Sequence, residues 1–277
     1  MRRINRILDE EPEVFDLSVP LKLPPIRGSI VLKDFNFQYP STVEYALKGI
    51  SMEIEPGQTV ALVGRVGSGK TTLLQVIPRL FDVTAASLFI DGKDIQDYPL
   101  KHLRESIGFV TQDTIIFSDT IRNNVIFGRD PISDDQLEVA LKTAMIYEDI
   151  LKLEKGLDTV LGERGITLSG GQRQRLTIAR SLVNNPPILI LDDSLSMVDT
   201  RTEESILNNI LELRKNMTNL IVSHRYSTIS RADLIAVFEK GNLVELGDYR
   251  SLMKKGNKFA RLYRRQRLAQ ELGIGAK

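Results

Sequence analysis

The sequence predicts a three-layer α/β fold built around a mainly parallel β-sheet. One observation is that short apolar segments of strand length alternate with amphipathic segments of helix length along most of the chain. A second is that a glycine-rich loop joins one of these apolar strands directly to a helix. Because parallel neighbours need crossover connections, usually helices, this alternation places helices on both faces of the sheet.

Length, charge and composition narrow the function classes. The chain has 277 residues, 42% of them hydrophobic, which suffices for one large domain or two smaller ones. With 37 basic and 36 acidic side chains and a net charge of +1, it lacks the basic surplus typical of nucleic-acid-binding domains. The absence of cysteine excludes disulfides and thiolate chemistry. No run approaches about 18 apolar residues, and the N-terminus lacks the apolar core of a signal peptide, so we expect a soluble, cytosolic chain.

Residues 1 to about 25 differ from the rest and predict a linker ahead of a domain that spans 26–277. Arg2–Leu8 predicts one or two helical turns with its apolar residues on one face. The acidic patch Asp9–Glu13 follows, and then a stretch punctuated by prolines from Pro20 to Pro25. Charge runs and repeated prolines of this kind are typical of linkers rather than of a packed core.

Two β-rich segments and a strand–loop–helix unit open the predicted domain. Near-alternation predicts strands on Ile30, Leu32, Phe35, Phe37 and Tyr39 and on Ile50, Met52 and Ile54. The unit that follows occupies roughly residues 59–81, and its helix is predicted to bury Leu73, Leu74, Val76, Ile77, Leu80 and Phe81. Pro78 lies inside this pattern and is expected to kink or shorten the helix.

The remaining segments continue the alternation, with a mostly helical region at about 114–184. Periodic patterns predict helices over Asp134–Ala144, Tyr147–Leu153, Gly171–Leu182 and Thr202–Leu213. Apolar runs predict strands over Ser87–Ile90, Ile107–Thr111, Ile188–Leu191 and Leu220–Val222. Two further runs, Leu234–Phe238 and Leu243–Leu246, flank the turn Lys240–Asn242.

The segment Gly64–Thr71 has the pattern G-x-x-x-x-G-K-[ST] and follows the apolar run Val60–Val63. Its glycines let several backbone N–H groups point at one anion, and the helix that follows adds the positive end of its dipole. Lys70 supplies a charge for the β- and γ-phosphates, and the Thr71 hydroxyl suits Mg²⁺. The pattern therefore predicts a nucleoside triphosphate site on Gly64, Arg65, Val66, Gly67, Ser68, Gly69, Lys70, Thr71 and Thr72.

Two later stretches carry further polar groups at the ends of predicted elements. Ile188–Asp192 is an apolar strand that ends in a carboxylate, which either caps the next helix or, beside a phosphate loop, binds Mg²⁺. Leu168–Gln172 is a second glycine-rich helix start with a hydroxyl. Ser169 there is either an ordinary N-cap or part of a second anion site.

Over residues 29 to about 255 the chain resembles the ATP-binding cassette (ABC) family. Gly64–Thr71 resembles its Walker A motif, Leu168–Gln172 its signature motif and Ile188–Asp192 its Walker B motif. Four more positions match: Gln112 the Q-loop glutamine, Ser196–Asp199 the D-loop, His224 the switch histidine and Tyr39 the aromatic residue that stacks on adenine.

This resemblance implies a P-loop NTPase core with an N-terminal antiparallel β subdomain and an inserted helical signature subdomain at about 114–184. Gly162–Gly165 resembles the exporter-type loop that touches intracellular loops of a transmembrane domain. Arg3–Pro12 resembles the tail that joins the last transmembrane helix of an exporter half-transporter to its cassette. We therefore expect the cassette of a bacterial multidrug-type exporter, separated from its transmembrane domain and located at the cytoplasmic side of the inner membrane.

The resemblance also implies a mechanism. Two cassettes pair head to tail, and each ATP lies between the P-loop of one chain and the signature motif of the other. Lys70 and the loop amides would hold the phosphates, while Thr71, Gln112 and Asp192 would hold Mg²⁺ or its waters. His224 would touch the γ-phosphate. The nucleotide held by the partner chain would meet Ser169, Gly170, Gly171 and Gln172.

Asp193 departs from the family pattern, which usually has Glu directly after the Walker B aspartate. We expect catalysis to depend on Asp193, His224, Gln112 and Lys70, yet an aspartate is one methylene shorter than the residue that polarises the attacking water. Either the alignment is lost, at an expected cost of about 10²–10⁴-fold, or a shifted backbone or bridging water restores it. Asp at this position resembles the degenerate half of a heterodimeric exporter, whose partner carries Glu; a homodimer stays open.

Two other functions stay open at this point. A soluble cassette acting on nucleic acid or the ribosome is disfavoured by the balanced charge. A nucleotide-dependent dimerisation module with little hydrolysis is compatible with Asp193. The transported substrate would be selected by the transmembrane domain.

Overall fold

The computed structural model describes residues 14–16, 23–40, 42–128, 131–162, 167–223 and 225–271, without the side chains of residues 226, 227 and 265–271. Ten strands are described in these ranges. They are β1 (Ile30–Phe37), β2 (Leu47–Ile54), β3 (Thr59–Gly64), β4 (Leu88–Ile90), β5 (Lys93–Asp94), β6 (Ile107–Val110), β7 (Ile188–Asp192), β8 (Thr218–Val222), β9 (Leu234–Glu239) and β10 (Asn242–Gly247).

Ten α-helices connect and flank these strands in the described ranges. They are α1 (Lys70–Val76), α2 (Leu100–Glu105), α3 (Ile121–Ile126), α4 (Asp134–Thr143), α5 (Tyr147–Leu151), α6 (Gly170–Leu182), α7 (Thr200–Leu213), α8 (Tyr226–Ile229), α9 (Tyr249–Lys255) and α10 (Lys258–Glu271). Among these helices none combines the length and the apolar character needed to cross a membrane.

The strands form two sheets. An antiparallel sheet has the order β2-β1-β4-β5, and a six-stranded sheet has the order β10-β9-β3-β8-β7-β6. In the larger sheet β3, β6, β7, β8 and β9 pair in parallel, and only β10 pairs antiparallel, as the hairpin partner of β9. The predicted α/β fold with a mainly parallel sheet and an N-terminal antiparallel sheet is thereby confirmed. Because parallel strands end at a common edge, the loops after β3, β6, β7 and β8 meet there.

The core lies on both faces of the larger sheet. Along β7, Ile188 and Ile190 pack with the antiparallel sheet and α1, whereas Leu189 and Leu191 pack with α6 and α7 on the opposite face. All five residues of β7 are buried, which is why this strand is continuously apolar until Asp192. This burial of both faces holds the carboxyl end of β7 rigidly at the edge where the loops meet.

Near the end of α1 the structure confirms one expectation from the sequence and corrects another. Pro78 shortens the helix as expected, because α1 ends at Val76. Leu80, predicted to lie on the buried helical face, is 44% exposed, so that prediction was wrong. The helical period no longer applies beyond the break, where Arg79 has a φ of +49°.

Helix α3 was not predicted individually from the sequence. Of the predicted linker, only residues 14–16 and 23–25 are among those described.

Candidate functional site

The glycine-rich loop runs from the end of β3 to the start of α1. Gly67 has a φ of +76°, and a Cβ placed there would meet no atom within 4 Å, so Gly67 faces open space. Gly69, which precedes α1, has a φ of +102°. Such left-handed angles strain residues that carry a Cβ, so glycine is required at these turns. Arg65 and Val66 are exposed at the tip of the loop, while Ser68 is buried.

Lys70 lies inside this loop and is only 7% exposed. Its Nζ donates to the carbonyl oxygen of Gly64 at 2.8 Å and to that of Arg65 at 3.0 Å. Burial lowers the pKa of the ammonium, against the opposing effect of the nearby Asp192 and Asp193 carboxylates. A phosphate group entering the loop would supply the negative charge that these carbonyl dipoles replace only in part.

Strand β7 brings Asp192 to the loop. The Thr71 hydroxyl donates to Asp192 Oδ1 at 3.3 Å, across 121 residues of sequence. Asp192 is 3% exposed, and burial raises the pKa of its carboxyl group, partly countered by the hydrogen bond from Thr71. The structure therefore joins two residues that were predicted separately as metal ligands.

Asp192 and Thr71 fit the chemistry of Mg²⁺. This ion prefers oxygen ligands and is usually held by one or two carboxylates together with substrate phosphates and water. Among the described residues no three His, Cys, Asp or Glu side chains cluster as a complete protein cage. A single buried carboxylate beside a hydroxyl matches a Mg²⁺ site that phosphates and water complete. Gln112, the third predicted ligand, is exposed two residues beyond β6, and β6 pairs with β7 in parallel.

Asp193 follows directly and adopts a φ of +46°. It lines a cavity of about 140 Å³ together with Ser196, Glu203, Ser223 and Arg225 among others. His224, predicted to contact the γ-phosphate, lies outside the described residues, as do residues 163–165 of the predicted exporter-type loop.

Tyr39 lies beside the first turn of α1 and is half-buried. Its hydroxyl is 2.9 Å from Thr72 Oγ1 and donates to Gln75 Oε1 at 3.3 Å. Its ring makes edge contacts with Phe37 and Phe81, with centroids 5.0 and 5.1 Å apart. The structure thus places the predicted adenine-stacking residue beside the N-terminal part of α1, directly after the glycine-rich loop.

The predicted signature residues form the N-terminus of α6. Ser169 Oγ accepts from the Gln172 N–H at 3.3 Å, and the Gln172 side chain accepts from the Ser169 N–H at 3.0 Å, which is a capping box. A Cβ on Gly170 would lie 2.7 Å from Met197 Sδ, so glycine permits close approach of the predicted D-loop. An open groove of about 480 Å³ lies here, lined by Ser169, Gly170, Gly171, Arg175 and the segment after β7.

Two polar residues that the motifs do not cover are buried near this region. Gln174 is fully buried; its side chain donates to Ser196 Oγ at 3.1 Å and accepts from the Met197 N–H at 2.8 Å. Glu203 is 5% exposed and pairs with Arg225 at 2.6 Å. Each occupies a position in the apolar stripe of its helix, so the sequence signal is a polar residue where the helical period expects a core residue.

Comparison with known proteins places these motifs in a family. A protein-family model described as "ABC transporter" matches residues 47–196. Proteins of Staphylococcus aureus, strains bovine RF122 and NCTC 8325, named multidrug export ATP-binding/permease proteins, are 44% identical over 266 residues. The match covers 95% of this chain and 46% of those proteins, so the chain spans about half the length of these relatives.

A solved structure supports the same conclusion on the fold. A bacterial Atm1-family ABC exporter with ATP bound superposes with a TM-score of 0.89 at 38% sequence identity. The superposition covers 96% of this chain and 47% of that exporter chain.

Proposed function

Because the chain belongs to the ABC transporter family, we propose that it binds and hydrolyses ATP as the nucleotide-binding subunit of a membrane exporter. The observation that carries this proposal is the hydrogen bond of 3.3 Å between Thr71 and Asp192, beside the buried Lys70. It joins the first turn of α1 to the end of β7 in one polar centre, beside a loop whose Gly67 faces open space.

Within this centre each residue has a chemical task. Lys70 and the N–H groups of residues 64–72 hold the β- and γ-phosphates, and Tyr39 stacks on the adenine. Thr71, Asp192 and Gln112 would hold Mg²⁺ or its waters. The ion, when bound, neutralises charge on the phosphate oxygens. The pre-oriented N–H groups and Lys70 stabilise the charge that develops on the transferred group, with His224 as the predicted contact to the γ-phosphate.

A second chain completes the site. The capping box of α6 satisfies the Ser169 and Gln172 side chains and leaves the groove beside Gly170 and Gly171 open on one side. We infer that this groove receives the nucleotide held by a partner cassette in a head-to-tail dimer. ATP binding would close the dimer and hydrolysis would open it. A transmembrane domain, with the cassettes at its cytoplasmic side, would use this cycle for alternating access.

Asp193 makes this chain's own site the slower one. The shorter carboxylate reaches one methylene less far toward the attacking water, and general-base assistance is worth about 10²–10⁴-fold. The intact signature motif would serve the partner's site. We therefore propose a heterodimer in which the partner carries Glu after its Walker B aspartate, with a symmetric homodimer as the alternative.

ATP turnover of the parent chain and of Asp193→Glu, each measured across protein concentrations, tests these proposals. We expect a nearly silent parent and an active Asp193→Glu chain, with turnover rising faster than linearly in protein because two chains form each site. The more active of the two is the reference chain below.

Other outcomes separate the alternatives. A parent that already turns over at the rate of Asp193→Glu contradicts the degenerate site and favours a symmetric exporter cassette. If neither chain hydrolyses ATP but both dimerise with it in sedimentation, a nucleotide-dependent dimerisation module is the better description. If neither binds ATP, the proposed function is wrong.

A further inference from the structure

Glu203 is a buried carboxylate that none of the family motifs includes. It lies on α7 in line with Ile206, Leu207 and Ile210, the buried stripe of that helix. A carboxylate at such a position costs free energy unless it is paired. It has one charged partner in the described part of the chain, Arg225, whose Nη2 is 2.6 Å from Glu203 Oε2.

Arg225 lies between β8 and α8 and is held at three points. Its N–H donates to Ser223 Oγ at 3.1 Å, and its carbonyl oxygen accepts from the Ile229 N–H at 3.1 Å. The guanidinium provides the third attachment, to Glu203 on helix α7. Together these contacts fix the chain directly after position 224, where the γ-phosphate contact is predicted.

The pair also faces the catalytic edge of the sheet. Glu203 and Arg225 line the cavity of about 140 Å³ that Asp193 lines as well. We propose that Glu203 is a positioning residue for ATP hydrolysis, holding Arg225 in place beside the cavity that Asp193 lines. This inference rests on the proposed function.

Formation of the ion pair between Glu203 and Arg225 depends on pH. Burial, the largest effect, and the Asp193 carboxylate raise the pKa of Glu203 to about 7, against the pull of Arg225. The unfolded chain has the ordinary value of 4.5. Between these two values the folded chain retains a proton that the unfolded chain has lost, so this group lowers folding stability as pH rises through that window. The ion pair itself is complete only above the upper value.

Steady-state turnover of the reference chain from pH 6 to 8.5 tests the proposal, with Glu203→Gln as the variant and Glu204→Gln as the matched control. Glu204 is the exposed neighbour on the same helix turn. We expect Glu203→Gln to lower kcat on the order of tenfold at pH 8 and much less at pH 6, because misplacement costs rate only where the pair had formed. KM for ATP should change less than kcat.

Two further variants keep the test independent of folding defects. Arg225→Gln should likewise lower kcat at pH 8 much more than at pH 6. The double variant should be no slower than either single variant, since both substitutions act through one ion pair. Glu203→Gln that matches Glu204→Gln at every pH, or that changes KM and kcat alike, would overturn the proposal alone. A reference chain without turnover would overturn the proposed function together with it.

Discussion

The phosphate-loop region and the signature region satisfy their polar groups in different ways. In the first, Thr71 reaches Asp192 at the end of a strand 121 residues away, and Lys70 donates to carbonyl oxygens of its own loop. In the second, Ser169 and Gln172 satisfy each other locally and border an open groove. We therefore propose that the first region binds an anion largely through its own chain, whereas the second serves as a surface for a partner chain.

The difference suggests that, in a pair of chains, the two regions contribute different parts of each nucleotide site. A region whose charged groups already converge can bind nucleotide alone, so its variants should fail even in a single chain. A region that only presents a surface should matter when a partner arrives. Variants in the two regions are therefore expected to differ in kind as well as in size, and the predictions below measure that difference.

The largest effect is expected from Lys70→Met in the reference chain. The substitution keeps an unbranched side chain in the buried position but removes the only cation that donates to Gly64 and Arg65 in the described loop. Loss of one such electrostatic contact in a catalytic site typically costs about 10²–10³-fold in rate. Turnover and ATP affinity, measured by calorimetry, should both fall.

Lys48→Met is the control for this experiment. Lys48 is exposed on β2, and its backbone N–H rather than its side chain contacts the turn at Gly241. Equal loss in both variants would mean that overall positive charge matters, and the special role of the phosphate loop would have to be abandoned.

A smaller effect is expected from Ser169→Ala, and the chain contains its own control. Ser133 and Gln136 form a second capping box, with the same hydrogen bonds, at the start of α4. Removing either cap should cost about 1 kcal/mol of folding stability, measured by urea unfolding. Only Ser169→Ala should also lower turnover, by roughly tenfold, because only that helix end is proposed to meet the partner's nucleotide.

This pair of variants can contradict the comparison in one step. If the two lose the same stability and the same turnover, the α6 capping box is an ordinary helix start. ATP binding at low protein concentration, where chains are single, should be unchanged in both.

Much of the fold was predictable because its signals are local. Strand β7 reads as a continuous apolar run since both of its faces are buried, and the α4 and α6 periods are complete. The errors lie where an element ends. Leu80 continues the apolar period past Pro78, yet the helix has already stopped at Val76. Helix α3 has six residues, too few to display a helical period.

The candidate site divides in the same manner. Thr71 and Asp192 were predictable because each belongs to a motif whose spacing is visible in the chain. Gln174 and Glu203 were not, because a buried polar side chain is explained only by its partner, and here those partners, Ser196 and Arg225, lie 22 residues away in both cases. Their sequence signal, a polar residue inside an apolar helical stripe, identifies the position but not the contact.

The smallest effect is expected from Gln174→Met, which tests whether the signature surface depends on support from the D-loop. The variant keeps the volume in a fully buried position but loses the hydrogen bonds to Ser196 and Met197. Both partners lie in an exposed segment where water can replace part of the loss, so we expect a cost of about 1 kcal/mol. That cost should appear as roughly fivefold weaker ATP-dependent dimerisation, read from turnover against protein concentration, with single-chain ATP affinity unchanged.

The control is Gln58→Met. It loses one hydrogen bond, from the Glu55 N–H, just before the start of β3. Equal behaviour of the two variants would show that Gln174 only stabilises the fold, and the signature region would then be a surface that needs no internal alignment.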